Sequence, residues 1–315
     1  MTEGKPAKPR FSAYRVVGTA LAVDLIDILT NGLVAFFTGS VVLLAEMFQG
    51  IADLSAVLAV WFGLERAKRP ADAAHPFGYG RELYFWNFIA TLIMAFVLAT
   101  LSFYLGYQRF LHPQPVEHIE AGLFVLLLAV TTNGYSFTLS MRRIFDGGKR
   151  QSAWRRFTNS PYIESKTTFI LDLTGTLAGA AGLLALGLYL ATGDARFDGI
   201  GAMAIGLIMA GFSVVLLTHV KELLIGRSAP RETLFILRKT AESVEGVNSV
   251  LDMKTFLAGP DNLVVNMEIH AANDLTTDDL ERVIDQVKAD IIKAVPETTH
   301  VQVELETPRR RRRAS

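Results

Sequence analysis

Six apolar runs, each long enough to cross a bilayer, constrain this chain more than any other feature. They cover about residues 13–37, 40–64, 84–107, 118–140, 167–191 and 198–220. A helix rises about 1.5 Å per residue, so roughly 20 apolar residues cross a hydrocarbon core about 30 Å thick. Half of the 315 residues are hydrophobic, which fits a membrane protein with a soluble part attached. From the polar, basic opening MTEGKPAKPRFSAYR no cleavable signal peptide is expected.

Basic residues set the expected orientation. The amino end carries Lys5, Lys8, Arg10 and Arg15. The second connection carries Arg66, Lys68, Arg69 and Arg81, and the fourth carries Arg142, Arg143, Lys149, Arg150, Arg155, Arg156 and Lys166. The odd-numbered connections hold only Arg109 and Arg196. Positive charge stays on the cytoplasmic side, so both termini are expected in the cytoplasm and the protein in the cell (inner) membrane. Lys+Arg and Asp+Glu both number 31, so net charge points to no partner, and no nucleic acid is expected. The chain has no cysteine, which excludes disulfides, Cys-based zinc sites and thiol catalysis.

After about residue 221 the pattern changes. ETLFILRKTAESV has the composition of a helix, and VNSVLDMKTFLAG and NLVVNMEIHA that of strands separated by Gly-Pro-Asp-Asn. Leu263, Val265, Met267 and Ile269 alternate with Val264, Asn266, Glu268 and His270, the period of a half-buried strand. A helix is expected over about 276–294, with Thr276 and Asp279 at capping-box spacing and an apolar stripe of Leu280, Val283, Ile284, Val287 and Ile291. HVQVEL is a last strand. The fold class is therefore membrane α-helical with six transmembrane helices, plus a small cytoplasmic α+β domain of order αββαβ with its helices on one face of the sheet. The expected organisation is a cytoplasmic segment 1–12, a membrane domain 13–220, an α+β dimerisation domain 221–307 and an Arg-rich tail 308–315. The tail is either a solvated end or a contact for anionic lipid headgroups.

Within the spans, acids stand out. The first span holds Asp24, Asp27 and Asn31, the second Glu46, Gln49 and Asp53, and the fifth Asp172 with Thr168 and Thr176 a turn to either side. At about 1.5 Å per residue, Asp24, Asp27, Gln49, Asp53 and Asp172 fall near mid-membrane depth, and no Lys or Arg lies beside them. An intramembrane charge costs at least about 2.5–3.5 kcal/mol and marks an ion or proton pathway by default. One account is a set of protonated, hydrogen-bonded structural groups. The other is a divalent cation that removes the mutual repulsion and competes with protons.

Longer stretches resemble the cation diffusion facilitator family. FFTGSVVLLAEMFQGIADL is similar to its first helical hairpin, HPFGYGRELYFW to its loop before helix three, LHPQP to the connection after it, and RFDGIGAMAIG to its entry into helix six. The resemblance implies a metallochaperone-like fold for the C-terminal domain and a homodimeric antiporter that exports a divalent metal against protons. It places the transport site at Gln49 and Asp53 of helix two and at Thr168 and Asp172 of helix five, where the family commonly has His or Asp at the first member of each pair. Asp27 or Glu46 can supply the missing charge. With no His in these spans, an oxygen-only set suits Mn²⁺ or Mg²⁺, with Fe²⁺ possible; tetrahedral zinc sites favour His and Cys, and the cargo metal is expected to be of the Mn, Fe, Zn or Mg class. The alternative is a transport-inactive homologue acting as a partner or metal-sensing subunit. His300, Gln302, Glu304 and Glu306, with Glu268 and His270, form either a polar sheet face or a metal-binding one. His75 is expected to be an ordinary residue of a tight Pro/Gly loop. No Ser/His pair at shared depth and no His-Glu-x-x-His motif occurs, so no enzyme is expected.

Overall fold

The computed structural model describes residues 13–145 and 163–307, which fall into two compact units. The segment 1–12, much of the fourth connection and the Arg-rich tail lie outside these residues.

The first unit holds the long helices. Among the described residues six are long and apolar enough to cross a membrane: α1 (Ala13–Thr38), α2 (Val41–Ala67), α3 (Glu82–Leu111), α4 (Ile119–Phe145), α5 (Ile163–Thr192) and α6 (Arg196–Ile225). All six expected spans are present, most of them extended at one or both ends. Helix α3 contains a π-helical stretch, Ile93–Leu98.

Only Gly39 and Ser40 separate α1 from α2, and Gly39 has φ +68°, the left-handed conformation that ends a helix without a Cβ penalty. The entry of α2 is capped from a distance. Asp198, at the start of α6, is 0% exposed; its carboxylate accepts from Ser40 Oγ at 2.6 Å, Val41 N at 3.0 Å and Val42 N at 3.1 Å. Arg109 at the end of α3 lies 3.2 Å from the same carboxylate and donates to the Gly39 carbonyl at 2.6 Å. An anion at a helix N-terminus, itself neutralised by a half-buried guanidinium, thus ties together the ends of four helices. Helices α3 and α6 meet backbone to backbone. A Cβ on Gly106 would lie 2.6 Å from the Gly199 carbonyl oxygen, and one on Gly206 2.8 Å from that of Ala99. Such contacts replace the hydrophobic drive that lipid removes.

The second unit contains a three-stranded sheet in the order β1 (Val247–Gly259), β2 (Asn262–Ala271), β3 (Thr298–Leu305). Strands β1 and β2 are antiparallel; β2 and β3 are parallel. Helix α7 (Arg231–Glu242) packs on β1, helix α8 (Thr277–Ala294) packs on β3, and the two helices pack on each other, so both cover one face. The order αββαβ and the one-sided helix layer agree with expectation. The capping box forms: Thr276 N donates to Asp279 Oδ2 at 3.1 Å, and Asp279 N to Thr276 Oγ1 at 3.3 Å. Leu263, Val265, Met267 and Ile269 are buried with Val283, Val287 and Ile291 of α8.

Val264 departs from the alternation, being buried although it points away from the helices. Its cross-strand neighbours are Phe256 and His300, and the Phe77 ring packs edge-on against both, at 5.9 and 5.6 Å between centroids. The loop 64–84 belongs to this unit and covers that end of the sheet. Asn262 donates to the Phe77 carbonyl at 2.9 Å, and Gly80 runs against Ala258 and Gly259 too closely for any Cβ. Within the loop, Asp72 accepts from Tyr79 Oη and His75 N, both at 2.7 Å, and from Ala74 N at 3.0 Å. These bonds, the tyrosine's first, hold the Asp72 carboxyl below the usual carboxylate range. His75 stacks on Tyr79 as part of this turn. On the remaining sheet face, Asp252, Glu268 and Glu304 lie side by side across the three strands, with Lys254 3.1 Å from Asp252.

Candidate metal centre in the membrane unit

The α1–α2 hairpin sets the site. A Cβ on Gly50 would lie 2.9 Å from Ile28 Cγ1 and 3.3 Å from Asp27 Oδ2; one on Gly32 would lie 2.9 Å from Met47 Sδ. These two close approaches give the antiparallel register. It sets Asp24 level with Asp53, Asp27 level with Gly50 and beside Gln49, and Asn31 level with Glu46. The polar residues recur every three or four positions, so on each helix they share one face. Two helices thus present three polar levels, about 5 Å apart along the axis.

Asp53 and Gln49 are bonded to each other: Gln49 Nε2 donates to Asp53 Oδ1 at 2.9 Å. Asp27 Oδ1 accepts from Asn31 Nδ2 at 3.0 Å. Asp172 enters from α5, where Gly175 and Gly179 let the backbone approach Asn133 and Val130 of α4. That packing delivers Ser140 of α4, whose hydroxyl donates to Asp172 Oδ2 at 2.5 Å. The Asp53 carboxylate repels those of Asp24, Asp172 and Asp27, and that of Glu46 repels Asp27. No Lys or Arg occurs between residues 16 and 64 to offset them.

Burial divides the cluster. Asn31, Glu46 and Gln49 are buried; Asp24, Asp27, Asp53 and Asp172 are half-buried. Within this cluster four buried oxygens have no hydrogen-bond partner: Asp24 Oδ2, Asn31 Oδ1, Glu46 Oε1 and Gln49 Oε1. All are acceptors, and all lie on the α1–α2 hairpin. Buried polar atoms are normally satisfied, so a run of orphan acceptors fits a cationic guest. Thr168 is exposed, one turn from Asp172, whereas Thr167 beside it is buried. Among the described residues, no three His, Asp or Glu side chains converge closely enough to bind one ion as they stand.

Two neighbours of the expected site residues are not marked as such by sequence. Asp24 reads there as one intramembrane acid among several, and the hairpin register sets it opposite Asp53. Ser140 is a single hydroxyl on α4, and only the glycine spacing of α5 against α4 signals its position.

The transmembrane-domain model of the cation efflux proteins matches residues 18–224, and their cytoplasmic-domain model matches residues 229–307. The chain belongs to the cation diffusion facilitator family. Cation diffusion facilitators are multi-pass membrane transporters, not enzymes. Among curated members of the family, the chain is 24% identical over 257 residues to the proton-coupled zinc antiporter SLC30A9, mitochondrial, of Xenopus laevis, covering 78% of this chain and 46% of that protein. It is 24% identical to metal tolerance protein C4 of Arabidopsis thaliana, covering 82% and 57%. It is 22% identical to the cation-efflux pump FieF of Klebsiella pneumoniae, covering 90% and 89%. The chain spans about half the length of the first of these relatives. A solved MamM-CTD structure matches at 18% identity with a TM-score of 0.23, covering 24% of this chain and 96% of that one.

Proposed function

We propose that the chain exports a hard divalent cation, Mn²⁺ or Fe²⁺ in preference to Zn²⁺, in exchange for protons. The observation that carries this is the oxygen-only cluster at mid-span with unpartnered acceptors and no basic residue beside it. Asp53 and Asp172 are the anionic ligands, Asp24 adds a third carboxylate beside Asp53, and Gln49 contributes its free carbonyl oxygen. Ser140 orients Asp172. Asp27 and Glu46 raise the negative charge of the cavity, and Thr168 stands at its margin. Neutral and anionic oxygens favour hard ions; tetrahedral zinc sites favour imidazole and thiolate. Protons and metal compete for the same carboxylates, so each metal released leaves groups that take up protons. The basic connections support a cytoplasmic location for both termini in a cell membrane. The C-terminal domain, matched by the family's cytoplasmic-domain model, supports a homodimer.

A second reading is a transport-inactive family member that works through its C-terminal domain. Two observations favour it: the Gln49 amide is already bonded to Asp53, and Thr168 is exposed. The same experiment separates the two. Purified protein in liposomes is offered Mn²⁺, Fe²⁺, Zn²⁺, Co²⁺ and Mg²⁺ with internal pH monitored. Metal uptake coupled to proton movement, strongest for Mn²⁺ or Fe²⁺, supports transport. No flux for any of the five ions supports the inactive reading.

A further inference from the structure

The polar levels of the α1–α2 hairpin extend beyond the Asp53–Asp172 centre, toward the Gly39–Ser40 turn. At the level nearest the turn stand Asn31 and Glu46, 0% and 1% exposed. Each keeps an oxygen without a hydrogen-bond partner, Asn31 Oδ1 and Glu46 Oε1. Asp27 reaches this level from below. Its Oδ1 accepts from Asn31 Nδ2, while its Oδ2 lies against Gly50, one turn from Glu46.

Asp27 is the hinge between the two sets: its charge acts on both Glu46 and Asp53. Packing separates the sets. On the turn side of Glu46, Val42, Leu43 and Ala45 are buried, and Gly122, Gly182 and Gly201 bring α4, α5 and α6 against this part of α2. The Asp53 level is half-open by comparison.

We propose that Asp27, Asn31 and Glu46 form a second cation position, distinct from the Asp53–Asp172 centre and on its turn side, that takes a hard divalent ion. The proposal rests on reading the membrane cluster as a cation site. Two carboxylates balance a divalent charge, and the carboxamide oxygen of Asn31 adds a neutral donor. The set contains no nitrogen or sulfur ligand, which selects Mn²⁺-class ions over Zn²⁺. Glu46 and Asp53 are seven residues apart on one helix, so the two positions are about 10 Å apart along it.

The test counts Mn²⁺ bound to the purified full-length protein in detergent and records its electron paramagnetic resonance spectrum. The wild type should show line broadening from two neighbouring Mn²⁺ ions in one chain. Glu46→Gln should remove one Mn²⁺ per chain and the broadening. Asp53→Asn should likewise remove one, and the double variant two. Glu46→Asp, which keeps the charge and shortens the side chain, should weaken binding at this position alone; it stands in if Glu46→Gln fails to fold. If Glu46→Gln and Glu46→Asp keep the full count and affinity while Asp53→Asn loses one ion, the second position is overturned and the transport centre stands. If neither Glu46 nor Asp53 variants change the count, the cation reading of the whole cluster falls with it. If either single change removes both ions, the cluster is one shared centre and the proposal is overturned.

Discussion

The membrane unit buries carboxylates in two places, and it treats them in opposite ways. Asp198 is surrounded by donors: a hydroxyl, two backbone amides at the start of α2 and the Arg109 guanidinium. The mid-span group on α1, α2 and α5 has five carboxylates, no cation from residues 16 to 64, and orphan oxygens on Asp24 and Glu46. A buried acid by itself is therefore ambiguous. What separates a structural acid from a working one is whether the fold supplies its counter-charge.

The largest effect expected from this contrast is on transport. Asp53→Ala or Asp172→Ala should abolish Mn²⁺ flux in liposomes while the protein remains folded. Flux that persists with both changed would remove the site assignment. Next comes stability. Asp198→Asn strands the Arg109 charge and weakens the cap on α2, so it should cost about 3–5 kcal/mol, read as a lower melting temperature in detergent. Asp53→Asn should instead raise the melting temperature, since it deletes a like charge. Equal losses from both substitutions would break the comparison. Ser140→Ala removes the hydroxyl that orients Asp172 and should weaken metal affinity about 10–100-fold, as loss of a group supporting a ligand does, without changing which metal is preferred. The subtlest is Gln49→His. An imidazole at this position should shift preference toward Zn²⁺; unchanged selectivity in a competition assay would show that residue 49 does not touch the ion.

Local chemistry explains what was legible in the sequence. The six spans follow from apolar length, and the strands from alternation. The α8 start follows from Thr276 and Asp279 three residues apart. Each signal lies within one element. The features that were not legible depend on which elements meet. Val264 breaks its alternation because Phe77, far away in the chain, covers it. Ser140 matters because Gly175 and Gly179 bring α4 close to α5. Asp198 reads in the sequence only as part of the entry to helix six; its capping of α2 appears once α2 and α3 are placed beside it. Asp53 and Asp172 were legible as acids at a shared depth, but the pairing of Asp24 with Asp53 required the hairpin register. Thr168 shows the limit of family resemblance: it holds the position of a ligand, yet its side chain is exposed.

The two-residue turn between α1 and α2 has a mechanical consequence. With Gly39 in the left-handed conformation and the entry of α2 clamped by Asp198, the two helices have no slack to slide past each other. Asp24, Asp27, Asn31, Glu46, Gln49 and Asp53 are marks on a single ruler, and their spacing stays constant however the bundle rearranges. Asp172 stands on a separate helix, α5, so its distance from those marks is not fixed by the turn.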